Sequence, residues 1–429
     1  MKSTKFFLLA SALLMVSLIS CSKENISTNE MPPPVGSYIT GSHLMGTLKG
    51  SLKQDSTYYL DGDMIVNATD SFAISPGVKV IATGNYHIEI AGVFICKGTE
   101  AKQITLTTND EAGAYANLGQ TGYWGGILVD STASYVCINF THINYTGGPD
   151  AGGSAQASFD VEGSQTFNGG AKIIFEDNWM FGGIDDAIHL AGDITCSIKR
   201  NVLQRLGGSD GDVVNIKKGA HGVFAYNYIW SSGNSGIKLN TSKTVPLPET
   251  KFDIYNNTFV NGNWRKIGEL SAAIYLDQNS AGNIYNNAIV GCRNGIHLAK
   301  NATGADMANT KYSNNLIYMY YDLTSDSSNV ETNNPYIQDS NGVPQPTDKI
   351  AYGLGACHTV FTKWDQDITA NYLDLNVPSL PSTSPARNGG TSNGILFGYL
   401  IGADTPLNRD MGAYPSDGKG NKHLPTSKP

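Results

Sequence analysis

Charge is scarce in this sequence. Only 15% of the 429 residues are charged, and the formal net charge is −8 at pH 7. No stripe of Lys and Arg follows the first few residues, so the electrostatic footprint that a phosphate backbone requires is missing, which excludes nucleic acid as a partner. Paired CxxC cysteines are absent too. After Cys21 the thiols of Cys96, Cys137, Cys196, Cys292 and Cys357 stand far apart, which argues against a zinc site and a dense disulfide framework. Cys137 and Cys196 sit in alternating apolar runs, where cysteine serves as a small hydrophobe. The apolar run from Phe6 to Ile19 is too short to span a bilayer comfortably. Phosphate loops, nucleophile elbows and zinc-protease motifs are missing as well.

Glycine (48 residues), tyrosine (22) and a 40% hydrophobic content are what the chain has instead. This balance buries a large core and suits many short strands joined by turns, so the expected class is all-β. Residues 1–21 read as an export signal, with Lys2 and Lys5 before the apolar run and small Ser20 before Cys21. The stretch Leu18, Ile19, Ser20, Cys21 resembles a bacterial lipobox. That resemblance implies lipidation of Cys21 and membrane attachment through acyl chains rather than a helix; simple signal cleavage beside an incidental cysteine is the alternative. Residues 22–42, with Pro32, Pro33 and Pro34, read as a flexible tether. Ser22, Lys23, Glu24, Asn25 resembles the export tags of surface lipoproteins in the Bacteroidetes, which implies the outer membrane, surface-exposed or periplasmic.

A repeat governs the middle of the chain. Asparagine, a nearby apolar residue, a turn, and then Gly/Ala, Ile, any residue, Leu recur around Asn178, Asn201, Asn227, Asn257, Asn287 and Asn315, at spacings of 23, 26, 30, 30 and 28 residues. A period in this range marks a solenoid. Each coil's strands bury their apolar side only against the next coil, about 4.8 Å away. The recurring asparagines are expected to form a structural ladder in a tight bend rather than to bind a ligand. Between residues 72 and 127 the runs Phe72 to Lys79, Gly92 to Ile95, Lys97 to Thr99, Ile104 to Thr107 and Trp124 to Ile127 resemble the opening coils of the pectin-lyase-like superfamily. Ser384, Pro385, Ala386 and Asp410 to Tyr414 resemble its closing segment. The resemblance implies a single-stranded right-handed parallel β-helix over residues 43–330, with residues 43–60 as its first cap and 331–429 as irregular terminal coils and a C-terminal cap.

Chemistry has to sit on the outward face. In the Gly/Ala, Ile, any, Leu strands the residue between the apolar pair points out, which stacks His189, Asn215, Lys238, Tyr275 and His297 in one external row. Two positions earlier, Ala187, Val213, Gly236, Ala273 and Gly295 are expected to form a low floor beside that row. Such a groove suits a polysaccharide or cell-surface glycan, although any β-helix must carry some polar row. Asp185, Asp186, Ala187, Ile188, His189, Leu190 resembles the paired-aspartate strand of polygalacturonase-type glycoside hydrolases. Asp185, Asp186 and Asp212 are therefore the catalytic candidates for a hydrolase acting on a uronate-rich polymer. The family's histidine and arginine positions hold Asp212 and Lys238 here, and aspartates ahead of such strands commonly cap turns, which is the preferred reading. For a lyase, Asp185, Asp186, Asp210 and Asp212 beside Lys238 would make calcium an allowed cofactor; no other cofactor or metal is indicated. The expectation is a lipid-anchored envelope protein that binds glycans or surface partners without catalysis, with a polysaccharide-degrading enzyme or a plain spacer as its rivals.

Overall fold

A computed structural model describes residues 36–208, 211–241, 247–266, 270–320, 334–337, 340–366 and 377–425. Cys21, most of the tether and Asp210 lie outside the described residues. The chain is a parallel β-helix: each coil passes through three short strands, and every pairing between its strands is parallel. In the middle coils the first sheet stacks Ile194–Lys199, His221–Ala225 and Lys251–Tyr255. The second stacks Val202–Gln204, Tyr228–Trp230 and Thr258–Val260. The third stacks Phe159–Glu162, Ile188–Ala191, Val214–Lys217, Ile237–Asn240 and Ile274–Asp277. Residues 43–60, expected as a cap, already lie in coil strands: Gly50–Leu52 pairs with Ser71–Ile74, and the long strand Thr57–Val66 serves both the second and third sheets.

The Gly/Ala, Ile, any, Leu pattern has a direct structural meaning. Ile188, Val214, Ile237, Ile274 and Ile296 form one register row, and Leu190, Ile216, Leu239, Leu276 and Leu298 the next; all are fully buried. Burying each such side chain contributes about 1.5–3 kcal/mol before entropy is counted. Stacked rings, such as Phe159 on Phe175 at 5.3 Å, fill the remaining interior. The five described cysteines are unpaired and buried. Among the described residues no helix is long and apolar enough to cross a membrane.

The ladder asparagines sit at the corner between the first and second sheets. Each reaches back one coil. The Oδ1 of Asn201 accepts the Asn178 amide at 3.0 Å, while its Nδ2 donates to Phe175 O at 2.9 Å. The same pair of bonds recurs at Asn227, Asn257, Asn287 and Asn315. At the ends Thr141 N donates to Asn178, and Asp348 takes over as acceptor for Asn315 N. The residue before each asparagine, Asp177, Arg200, Tyr226, Asn256, Asn286 or Asn314, has a left-handed backbone (φ +52 to +61°). Those six side chains turn outward from the corner.

The C-terminal segment uses most of them. Tyr226 Oη donates to Pro406 O, Asn256 Nδ2 to Asp410 O and Asn286 Nδ2 to Thr391 O, while His423 meets Asp177. Residues 384–424 thus run along the flank of the helix, rather than only over its end. Val360, Phe361, Trp364, Met411 and Tyr414 cover the second sheet, whose outward residues (Trp179, Val202, Tyr228, Trp230) are apolar. Leu396, Tyr399 and Leu407 pack over Val223, Tyr255 and Tyr285 of the first sheet. Over these middle coils the third sheet keeps a polar outward face.

Candidate binding face

Register places the expected external row in one line: Asp160, His189, Asn215, Lys238, Tyr275 and His297 are partners on successive strands. One position pair further along stand Glu162, Lys217 and Asn240. The line is not uniformly open. Asp160 and His189 are partly accessible, at 32% and 14% of their side-chain surface, and Lys238, Lys217 and Asn240 are half-buried. Asn215 is only 6% exposed, Tyr275 8% and His297 3%.

Tyr275 and His297 therefore cannot serve as free contact surfaces. Tyr275 packs with Ala272, Ala299 and Ile337. The Lys238 ammonium lies over its ring at 5.2 Å, and His297 meets it edge-on at 4.6 Å. A sugar would have to displace these neighbours to stack there. The contact residues left open are Asp160, Glu162, His189, Lys217, Lys238 and Asn240.

The expected low floor is absent. Ala187, Val213 and Ala273 belong to the interior cluster, and a Cβ on Gly236 would fall 2.6 Å from the Phe259 ring. On Gly295 it would fall 2.3 Å from Pro335 O. The chain turns a corner just before the strand, so side-chain alternation begins only at Ile188 and its counterparts.

The aspartates fulfil a backbone task. Asp186 accepts the Asp212 amide through Oδ1 and the Asn215 side-chain amide through Oδ2, each at 2.8 Å. Asp212 Oδ1 accepts the Ser235 amide at 2.9 Å, so these two residues form a second, shorter ladder along the edge of the third sheet. Asp212 is 3% exposed. Burial, reinforced by the Asp186 charge and opposed by Lys238, pushes its carboxyl up to about 7. Burial and Asp186 also raise the half-buried Asp185. Perturbed carboxyls of this kind are what an acid/base pair needs, yet Asp212 offers no surface to a substrate. Both Asp186 oxygens and Asp212 Oδ1 are engaged by amides and so are not free to serve as calcium ligands.

The raised Asp212 gives a pH signature. Between about pH 4 and 7 the folded protein holds a proton that the unfolded chain has released, so this carboxyl's contribution to stability declines as pH rises through that window. Asp212→Asn keeps an oxygen for Ser235 without a charge to bury. Thermal melts should show the variant closest to the parent at pH 4 or below, pulling ahead as pH rises and exceeding it by several degrees at pH 8. Parallel curves at the two pH values would count against this assignment.

A different cluster has metal-ligand geometry. Asp160, Glu162 and His189 each offer one atom, and the three atoms all lie within 4.8 Å of one another. The sequence reading missed Asp160 and Glu162 because Phe159, Asp160, Val161, Glu162 lacks the Gly/Ala, Ile, any, Leu signature; its strict alternation was the available signal. A separate hollow of about 620 Å³ lies under the C-terminal segment. Its Arg200, Asp177 and His423 are already paired with one another.

No protein-family model matches the chain, and comparison with curated proteins gave no match either. The third-sheet face has to be interpreted from its own chemistry.

Proposed function

We propose that the protein is a cell-envelope lipoprotein, held at the outer membrane through acyl chains on Cys21, whose third-sheet face binds glycan chains or other surface partners without cleaving them. One observation carries this reading. The C-terminal segment covers the apolar outward face of the second sheet and the mixed outward face of the first, and leaves Asp160, Glu162, His189, Lys217, Lys238 and Asn240 on the third. Parallel rungs hold these groups about 4.8 Å apart on a rigid frame, so a ligand loses little to protein reordering. Imidazole, amide and ammonium groups together address hydroxyls and carboxylates. Against catalysis stand the burial of Asp212 and the engagement of both Asp186 oxygens.

The test is retention of neutral and uronate-containing polysaccharides on the immobilised protein, with released reducing ends measured in parallel. A Lys217→Ala, Lys238→Ala double variant should weaken retention of uronate polymers about tenfold or more, the loss expected from one to two charge-assisted hydrogen bonds. Retention of no polymer, or retention indifferent to both lysines, would sink the binding reading. Release of ends that an Asp185→Asn, Asp186→Asn variant abolishes would make the protein an enzyme.

A further inference from the structure

The geometry points to a site for a divalent transition-metal ion of the zinc type, built from Asp160, Glu162 and His189 at one end of the third-sheet face; we propose it as a property of the protein independent of glycan binding. The backbone sets the three ligands. Asp160 and Glu162 are two residues apart on one strand and so project from the same side, and His189 is the register partner of Asp160 on the next rung. Their ligand atoms already fall within 4.8 Å of one another, and the donors around a tetrahedral zinc stand roughly 3.3 Å apart. His189 Nδ1 and Asp160 Oδ1 are already hydrogen-bonded at 2.6 Å, so an ion would displace the proton they share and open that pair while drawing Glu162 in.

The chemistry of the set selects the ion. Two carboxylates with one imidazole suit zinc or manganese, whereas calcium prefers six to eight oxygens. Three protein ligands on a solvent-accessible strand leave a coordination position open. A fourth acceptor stands alongside: Asn215, 6% exposed, is the register partner of His189 and lies on the same outward row. Its Nδ2 is tied to Asp186 Oδ2, which draws the amide head back toward the rung that carries His189, and its Oδ1 has no hydrogen-bond partner. This buried acceptor without a donor stands on the rung next to His189, two rungs from Asp160 and Glu162, where a water bound to the ion would supply the missing donor. Lys218 also approaches Glu162 at 3.6 Å, so a cation already responds to this negative potential.

The experiment is calorimetric titration of the chelator-treated full chain with zinc, manganese and calcium chlorides, in the absence of any glycan. One zinc per chain is expected, bound more tightly than manganese and much more tightly than calcium. His189→Gln and Glu162→Gln should each weaken zinc at least tenfold with unchanged circular dichroism. Lys218→Ala, which removes the competing ammonium, should tighten it, a response that a purely structural role for these residues would not give. Absence of saturable zinc binding, or binding indifferent to both His189→Gln and Glu162→Gln, overturns the site. Because no glycan is present, either result leaves the polysaccharide-retention test to stand or fall on its own.

Discussion

Asn227→Ala is expected to lower the free energy of unfolding by about 3–5 kcal/mol, because it strands several buried polar groups at once. Asn227 Oδ1 accepts both the backbone amide (3.0 Å) and the side-chain amide (2.9 Å) of Asn201, while its Nδ2 donates to Ile198 O (2.9 Å) and to Asn257 Oδ1 (3.1 Å). Alanine satisfies none of these and leaves a void where water has no entry, since Asn227 is fully buried. Asn227→Asp separates the donor from the acceptor role. It keeps an oxygen for Asn201 but sets a carboxylate against Ile198 O and Asn257 Oδ1, so it should be at least as damaging at neutral pH and partly relieved in acid. Denaturant unfolding of the two variants beside Asn315→Ala measures the ladder. Asn315 lies at the last rung, where Asp348 rather than another asparagine follows, and its loss should cost less because fewer coils depend on it. A cost below about 1 kcal/mol for Asn227→Ala would mean that the corner is held by backbone pairing and apolar packing alone.

The solenoid was legible because its physics repeats: one interior row of Ile or Val, one of Leu or Ile, and one asparagine recur in each middle coil, and a period is visible without knowing what covers it. What surrounds the solenoid was not. The left-handed corner row holds Asp177, Arg200, Tyr226, Asn256, Asn286 and Asn314, unlike residues of which Arg200 pairs with Asp177 and Glu176 while the others meet the C-terminal segment. That segment has no period, so neither its position along the flank nor its cover over two sheets could be inferred. The burial of Tyr275 and His297 escaped for the same reason: Ile337, from an aperiodic stretch, packs against Tyr275. The floor beside the external row failed on a different point. Alternation was extended one turn too far, across a corner that gives Ala187 and its counterparts an inward direction. At the aspartates, sequence favoured capping over catalysis, and the amides of Asp212 and Ser235 occupy oxygens that a catalytic pair would keep free.

The other large effect is expected at Arg200, where the C-terminal segment meets the corner. Its guanidinium reaches both oxygens of Asp177, at 2.7 and 2.6 Å, and Glu176 Oε2 at 2.8 Å. The Glu176 side chain is 3% exposed and that of Asp177 11%. Burial alone would raise the Asp177 carboxyl, but hydrogen bonds from Arg200 and His423 outweigh it and hold the group below its ordinary value. Arg200→Ala leaves two desolvated carboxylates with Lys199, 4.0 Å from Glu176, as the nearest remaining basic partner of that residue. Breaking a buried pair from one side costs about 3–5 kcal/mol. The sign with pH follows from the depressed carboxyl: its stabilisation is present above the unfolded value and is lost as pH falls through the folded one, so the gap between parent and variant should be widest near neutrality and close in acid. Arg200→Lys, which retains charge but cannot hold both carboxylates in a fork, should fall between the two. Limited proteolysis gives an independent readout. Glu176 accepts the Ala403 amide and His423 docks on Asp177, so loosening this cluster should expose the segment around 400–424 to cleavage before the coils themselves unfold. If Arg200→Ala leaves both stability and cleavage unchanged, the segment is held by the Tyr226, Tyr255 and Asn256 bonds, and the charge cluster is an accompaniment rather than an anchor.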